Sequence, residues 1–223
     1  GARRRTLPNQ GILVSIAGFR TIYPGWFNDP SKNFNSILKK WFYTRVLRSG
    51  AKSAANYVIG QDFMNLIGYA KNGDSLEFPN VYLDKSIMLR ITATDNRYKA
   101  LQCIMAMSAR EDFLTGELLD EDVEHHHIFP RSLAKKQGWS DRIDSILNLL
   151  AVSTHTNREL SDEHPNKYLS KLVKSAKATG TTQDVARRLS NCLLPYTEFL
   201  DESDFLNRYS NEGFDEFLSS RVN

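Results

Sequence analysis

Three of the chain's five histidines stand in a row, His125-His126-His127, and Ile128-Phe129-Pro130 follows them. Imidazole accepts a proton near neutral pH and is a common metal ligand. Successive side chains of a strand point to opposite faces. An extended run here therefore turns His125 and His127 one way and His126 the other. Adjacent imidazoles at a strand end can then divide the work, one on a metal ion and one on a water. Asn148 comes after a polar stretch containing Gly138, and His155, Asn157 and Arg158 lie a little further on. Imidazole, carboxamide and carboxylate can all ligate a divalent cation. Taken alone, a histidine triplet also reads as a polar strand end. His155 and His164 read as surface or helix-cap residues, His125 as a neighbour of the site, and Glu124 as support for the strand. Cys103 and Cys192 fall on apolar helical faces and read as core. Without cysteine pairs, a closed structural zinc site is not expected.

The elements that must position these residues differ from the rest of the chain. Between Val123 and Asn157 the helical period is lost. Val123–Pro130 is extended in character, and Pro130 stops it. Ile146–Val152 is mostly apolar and suits a buried strand. Thr154–Leu160 reads as a helix with Ser153 or Thr154 as its cap. The order is strand, long loop, strand, helix. Elsewhere helical spacing dominates. In Ser31–Arg48, the residues Phe34, Ile37, Leu38, Trp41, Phe42 and Val46 form one apolar stripe, with Ser31 or Asp29 to cap its start and Gly50 after its end. Further helices are expected over Asp62–Ala70, Lys99–Arg110, Asn166–Lys177 and Val185–Tyr196. One or two short acidic helices fall within Phe199–Phe217. Val81–Ile91 suits either a strand or a helix.

The arrangement of the polar stretch resembles an HNH endonuclease of the ββα-metal type. His126-His127-Ile128-Phe129-Pro130 supplies the first element of that pattern. Asn148, before Leu149-Leu150-Ala151-Val152, supplies the second, and Asn157-Arg158 the third. The nine-residue step from Asn148 to Asn157 matches the step in HNH domains of CRISPR effectors. A broader similarity, over roughly Lys39–Leu169, is to the C-terminal nuclease half of GmrSD-type modification-dependent restriction proteins and their anti-phage relatives. It rests on Lys40-Trp41-Phe42, on Asp112-Phe113-Leu114-Thr115-Gly116 and on Asp162–Leu169, and is tightest from Asp112 onward.

This resemblance implies an architecture, a set of roles and a reaction. The fold would be α+β, mainly α: a helical scaffold carrying a ββα-metal motif. A helical region would span 1–118, the motif 119–170 and C-terminal helices 171–223. His127 would be the general base, Asn148 would brace the loop and orient it, and His126 and Asn157 would hold a divalent ion. Arg158 and Arg131 would contact phosphate. The ion would be Mg²⁺ first, with Mn²⁺, Ni²⁺ or Zn²⁺ made more competitive by nitrogen ligation. Many HNH sites carry Asp where His126 stands. Two neutral ligands therefore predict weak metal affinity without DNA. The function implied is a DNA endonuclease, most simply a nicking one, within a restriction or anti-phage system. A DNA-binding module with a decayed site is the alternative. In such proteins a nucleotide-dependent domain usually precedes the nuclease half.

Composition sets the remaining bounds. The 12 Phe, 9 Tyr and 3 Trp among 223 residues can supply a core, which excludes a disordered chain. No apolar run approaches the roughly 20 residues of a membrane-spanning helix. Two cysteines and no secretory signal make the cytoplasm the expected compartment. The chain opens at Gly1, which suits a segment of a longer protein. A net charge of +3 hides a basic head: ten basic residues and one acid precede Ser53, whereas seven acids and two arginines follow Thr197. Such a head suits a polyanion, with Arg3, Arg4, Arg5, Lys39 and Lys40 as candidate DNA contacts. Two solvated, oppositely charged ends are the other reading.

Overall fold

The computed structural model describes residues 10–48, 56–78, 80–119, 123–194, 196 and 202–222. The fold is α+β and mainly α. Eleven α-helices and one two-stranded sheet lie among the described residues. None of these helices is long and apolar enough to cross a membrane. Packing divides the chain into two units. One takes in 4–82 and 94–101, the other 83–93 and 102–223. The sheet, the triplet and both candidate asparagines belong to the second.

The first unit contains α1 (Gln10–Ile22), α2 (Phe34–Leu47), α3 (Asn56–Asn72) and the start of α5 (Asn96–Ser108). α1 carries no marked sequence signal, because Gly11, Gly18 and several β-branched residues weaken its propensity. It is held by packing instead. Ser15 Oγ donates to Ile59 O on α3 at 2.8 Å. Gly18 faces the Phe63 ring so closely that a Cβ there would stand 3.0 Å from it. Phe19 is fully buried and meets the rings of Tyr23, Trp26, Phe27 and Phe34. The expected Ser31–Arg48 helix begins three residues late, at the first residue of its stripe. Asn33 adopts a left-handed conformation after a 3-10 turn at Pro30–Lys32, and α2 starts at Phe34. Asp29 caps that turn, accepting from Ser31 N at 2.9 Å. Gly50 lies outside the described residues.

The second unit opens with α4 (Lys85–Arg90), so the ambiguous Val81–Ile91 stretch is helical at its centre. Asp84 decides this locally, because its carboxylate accepts from Ile87 N at 2.8 Å and caps the turn. β1 (Val123–His127) pairs antiparallel with β2 (Leu149–Ser153), with His127 opposite Leu149 and His126 opposite Leu150. Between them run a 3-10 turn at Arg131–Leu133, α6 (Ala134–Gln137) and a 3-10 turn at Ile146–Asn148. The second strand therefore starts three residues later than its apolar run. α7 (Thr154–Leu160) follows β2 directly and contacts both strands. α8 (Pro165–Thr179) and α9 (Thr182–Asn191) come next, then α10 (Glu202–Asn207) and α11 (Phe214–Ser220). Behind the sheet, Phe129 packs its ring against Trp139, His164, Phe214 and Phe217.

Candidate active site

The two faces of β1 carry different partners. Glu124 and His126, two residues apart, share a face, and both reach Asn157 on α7. His126 Nδ1 lies 3.0 Å from Asn157 Oδ1, and Asn157 Nδ2 donates to Glu124. A carboxylate has no proton to give, so the amide NH₂ faces Glu124 and the amide oxygen faces His126. His126 Nδ1 then carries the ring proton and Nε2 a lone pair. That Nε2 is buried, with no hydrogen-bond partner among the described residues. His126 is only 4% exposed, and its ring lies edge-on to Tyr168. Burial pushes its pKa below the ordinary 6.5, against the raising effect of Asn157.

Asn157 owes its place to the capped start of α7. Ser153 Oγ accepts from Thr156 N at 3.1 Å. The fully buried Asp112 accepts from Ser153 N at 2.8 Å, and from Leu114 N and Thr115 N with its other oxygen. Asp112 thus ties the loop before β1 to the point where β2 becomes α7. That loop turns at Gly116, whose φ is +79° and where a Cβ would press on Arg188. Arg188 is buried and donates to the carbonyls of Phe113 and Leu114.

On the other face, His127 Nε2 meets Asp144 Oδ1 at 2.9 Å. Arg131 holds the same carboxylate with both arms, Nε to Oδ1 at 2.6 Å and Nη2 to Oδ2 at 2.8 Å. Burial lowers the His127 pKa, and the Asp144 hydrogen bond works against that. His127 is therefore neutral at neutral pH and able to accept a proton. Arg131 keeps Asp144 below the usual carboxylate range.

Asn148 is fully buried, and its side chain hydrogen-bonds to backbone groups. Its Oδ1 accepts from Phe129 N at 2.9 Å, while Nδ2 donates to Phe129 O at 3.0 Å and Ile143 O at 2.9 Å. It braces the segment leaving β1, and the group bonded to the His127 imidazole is Asp144. The carbonyls on either side of Asn148, Leu147 O and Leu149 O, accept from the buried Arg221 at 2.7 and 2.9 Å. Burial pulls that guanidinium down to a pKa of about 10.

The other candidates scatter. Arg158 is exposed in the last turn of α7. His125 is half-buried, and burial lowers its pKa too. His155 is exposed, and His164 caps α8. Cys103 and Cys192 are buried. Lys39 and Lys40 are exposed on α2, in the other unit, and the Lys40 ammonium sits 4.4 Å over the Phe78 ring. Arg3, Arg4 and Arg5 lie outside the described residues.

The donor set can be tested against a divalent ion. Adjacent ligands at about 2.1 Å on an octahedral ion stand about 3.0 Å apart. The His126 Nδ1–Asn157 Oδ1 contact has that separation, so an ion could take the place of the Nδ1 proton between them, with the ring proton moving to Nε2. Among the described residues no three His, Cys, Asp or Glu side chains gather to hold a metal. The pair thus fits an ion that takes few ligands from the protein, with Glu124 one hydrogen bond behind Asn157 to supply negative charge.

No family model matches the chain, and no solved structure matches it. It is 23% identical over 160 residues, 67% of its own length, to a protein of Methanocaldococcus jannaschii described as uncharacterized. The chain spans 27% of that relative.

Sequence reasoning missed three contributors. Asp144 lies in the polar stretch between the strands, and nothing in its spacing marks it. Asp162 is close enough to raise the pKa of both His126 and His127 electrostatically. Arg221 comes from the acidic tail that follows Thr197. The carbonyls that Arg221 serves are visible only once the fold is known.

Proposed function

We propose that this chain is the metal-dependent nuclease part of a restriction or anti-phage defence protein, hydrolysing DNA phosphodiester bonds one strand at a time. One observation carries this reading: consecutive histidines of a single strand serve two separate constellations. His126 contacts Asn157, a pairing suited to an ion. His127 contacts Asp144, a pairing suited to a base. His127 would take the proton of a water whose oxygen attacks phosphorus as the leaving oxygen departs. A divalent ion, Mg²⁺ first, held by His126 and Asn157 would offset charge on the phosphate and leaving group. Arg158, exposed on α7, and Arg131, exposed beside His127, would meet phosphate oxygens. DNA is the partner and the cytoplasm the compartment. A nucleotide-dependent region of the same protein would govern recognition.

Plasmid nicking with Mg²⁺ or Mn²⁺ tests this directly. His127→Ala should slow nicking by about 100-fold or more, the usual share of a positioned base. Equal nicking by wild type and variant would remove His127 from the chemistry. DNA binding without cutting by either protein would favour a binding module instead.

A further inference from the structure

We propose that Asp144 is the positioning residue of His127, fixing which ring nitrogen is free to take a proton, with Arg131 as the clamp that holds the carboxylate in place. The inference rests on the nuclease reading only for its catalytic consequence. Its structural content stands on three contacts. Asp144 Oδ1 sits 2.9 Å from His127 Nε2, and Arg131 covers both oxygens of that carboxylate at 2.6 and 2.8 Å.

The chemistry of the donors fixes the tautomer. An ionised carboxylate only accepts, and Arg131 only donates. His127 must therefore place its proton on Nε2, which leaves the Nδ1 lone pair to act on a water. A carboxylate partner on the far nitrogen is a general means of setting the tautomer and rotamer of a working imidazole. Asn148 cannot do this, because both ends of its amide are committed to backbone. The clamp gives the arrangement a second property. Arg131 is 65% exposed and Asp144 41%, so the pair is open to solvent and to an arriving phosphate. A guanidinium fork fits phosphate as well as carboxylate. Arg131 can thus turn toward a backbone phosphate while the Asp144–His127 bond persists.

The test combines kinetics with imidazole ¹⁵N spectra of the metal-free chain at pH 8, with His127 assigned by its absence in His127→Ala. Wild type should show His127 as the Nε2–H tautomer. Asp144→Ala should give a mixture of tautomers and lower kcat for nicking by about 10- to 100-fold, with KM for DNA within about twofold. Asp144→Asn keeps an accepting oxygen and should fall between the two. It replaces the alanine variant if that one does not fold. Arg131→Ala should instead raise KM more than it lowers kcat. An unchanged tautomer in Asp144→Ala, or an unchanged kcat, overturns the proposal. The two readings fail separately. If wild type does not nick, the nuclease reading falls and the spectra still decide the role of Asp144. If wild type nicks and Asp144→Ala nicks equally fast, only the role of Asp144 falls.

Discussion

Both packing units bury clusters of rings, and they differ in the polar groups buried beside them. In the first, Phe19 and Phe34 sit in a nest of rings, and Trp41 and Leu66 extend the apolar cluster. In the second, fully buried Asn148 and Asp112, together with buried Arg188 and Arg221, hold backbone groups around the sheet. Ring packing is less directional than hydrogen bonding and tolerates swaps that keep volume. Hydrogen bonds from buried amides and guanidinium groups set distance and angle together, and each missing partner is costly. The candidate chemistry lies in the unit whose sheet is braced by directional contacts as well as by rings. A base and a cation site need side chains held to within fractions of an ångström, and a polar brace provides that.

The sharpest way to break this comparison is to make one nearly shape-neutral change in the polar centre and one volume change in the ring cluster. Asn148→Asp preserves shape but points an oxygen at Phe129 O and Ile143 O, where an NH₂ group now donates. It should cost more than about 3 kcal/mol, whether the carboxyl is buried charged or takes a proton and satisfies only one carbonyl. Phe19→Leu removes a ring from the apolar cluster but leaves most of the space filled. It should cost about 1 to 2 kcal/mol. Urea unfolding of both variants checks the ranking, and a larger loss for Phe19→Leu would reverse it.

A smaller effect should appear with pH. His125, His126 and His127 all have pKa values lowered by burial. Above 6.5 each is neutral both folded and unfolded, and pH has no hold on stability through them. As pH falls through 6.5 the unfolded chain gains protons that the folded chain refuses, so stability declines until the lowered folded values are reached. All five histidines belong to the second unit. Between pH 7.5 and 5.5, hydrogen exchange on metal-free protein should therefore accelerate in β1, β2 and α7 before it does in α1–α3. Loss of protection in α1–α3 first would place the sensitivity elsewhere.

How much of this could be read from the sequence follows the same division. Helices with an apolar stripe were legible, because burial of one face is written in residue spacing: α2 and α8 lie close to where their stripes put them. The Ser153 cap and the start of α7 were legible from residue type. The triplet, Asn148 and Asn157 were legible as a pattern of polar residues where helical period lapses. α1 was not, because its glycines and β-branched residues disfavour a helix that packing against α3 sustains. Asp144 and Arg221 were not legible either. Each acts at a distance in the chain, 17 residues from His127 and 74 from Leu147. Local spacing carries no trace of such pairings.

The smallest expected effect separates two uses of one cation. Lys40 was expected from the sequence to follow a phosphate backbone, yet its ammonium rests over the Phe78 ring. A cation over an exposed ring is worth about 0.5 to 1 kcal/mol. Lys40→Met should lower stability by that amount, whereas Lys39→Met, at the neighbouring exposed position, should leave it unchanged. If α2 also tracks DNA, each substitution removes about one unit from the slope of log affinity against log salt. A stability loss at Lys40 with no change of slope at either position would make α2 a purely structural helix. The basic head would then act, if at all, through the arginines that precede α1.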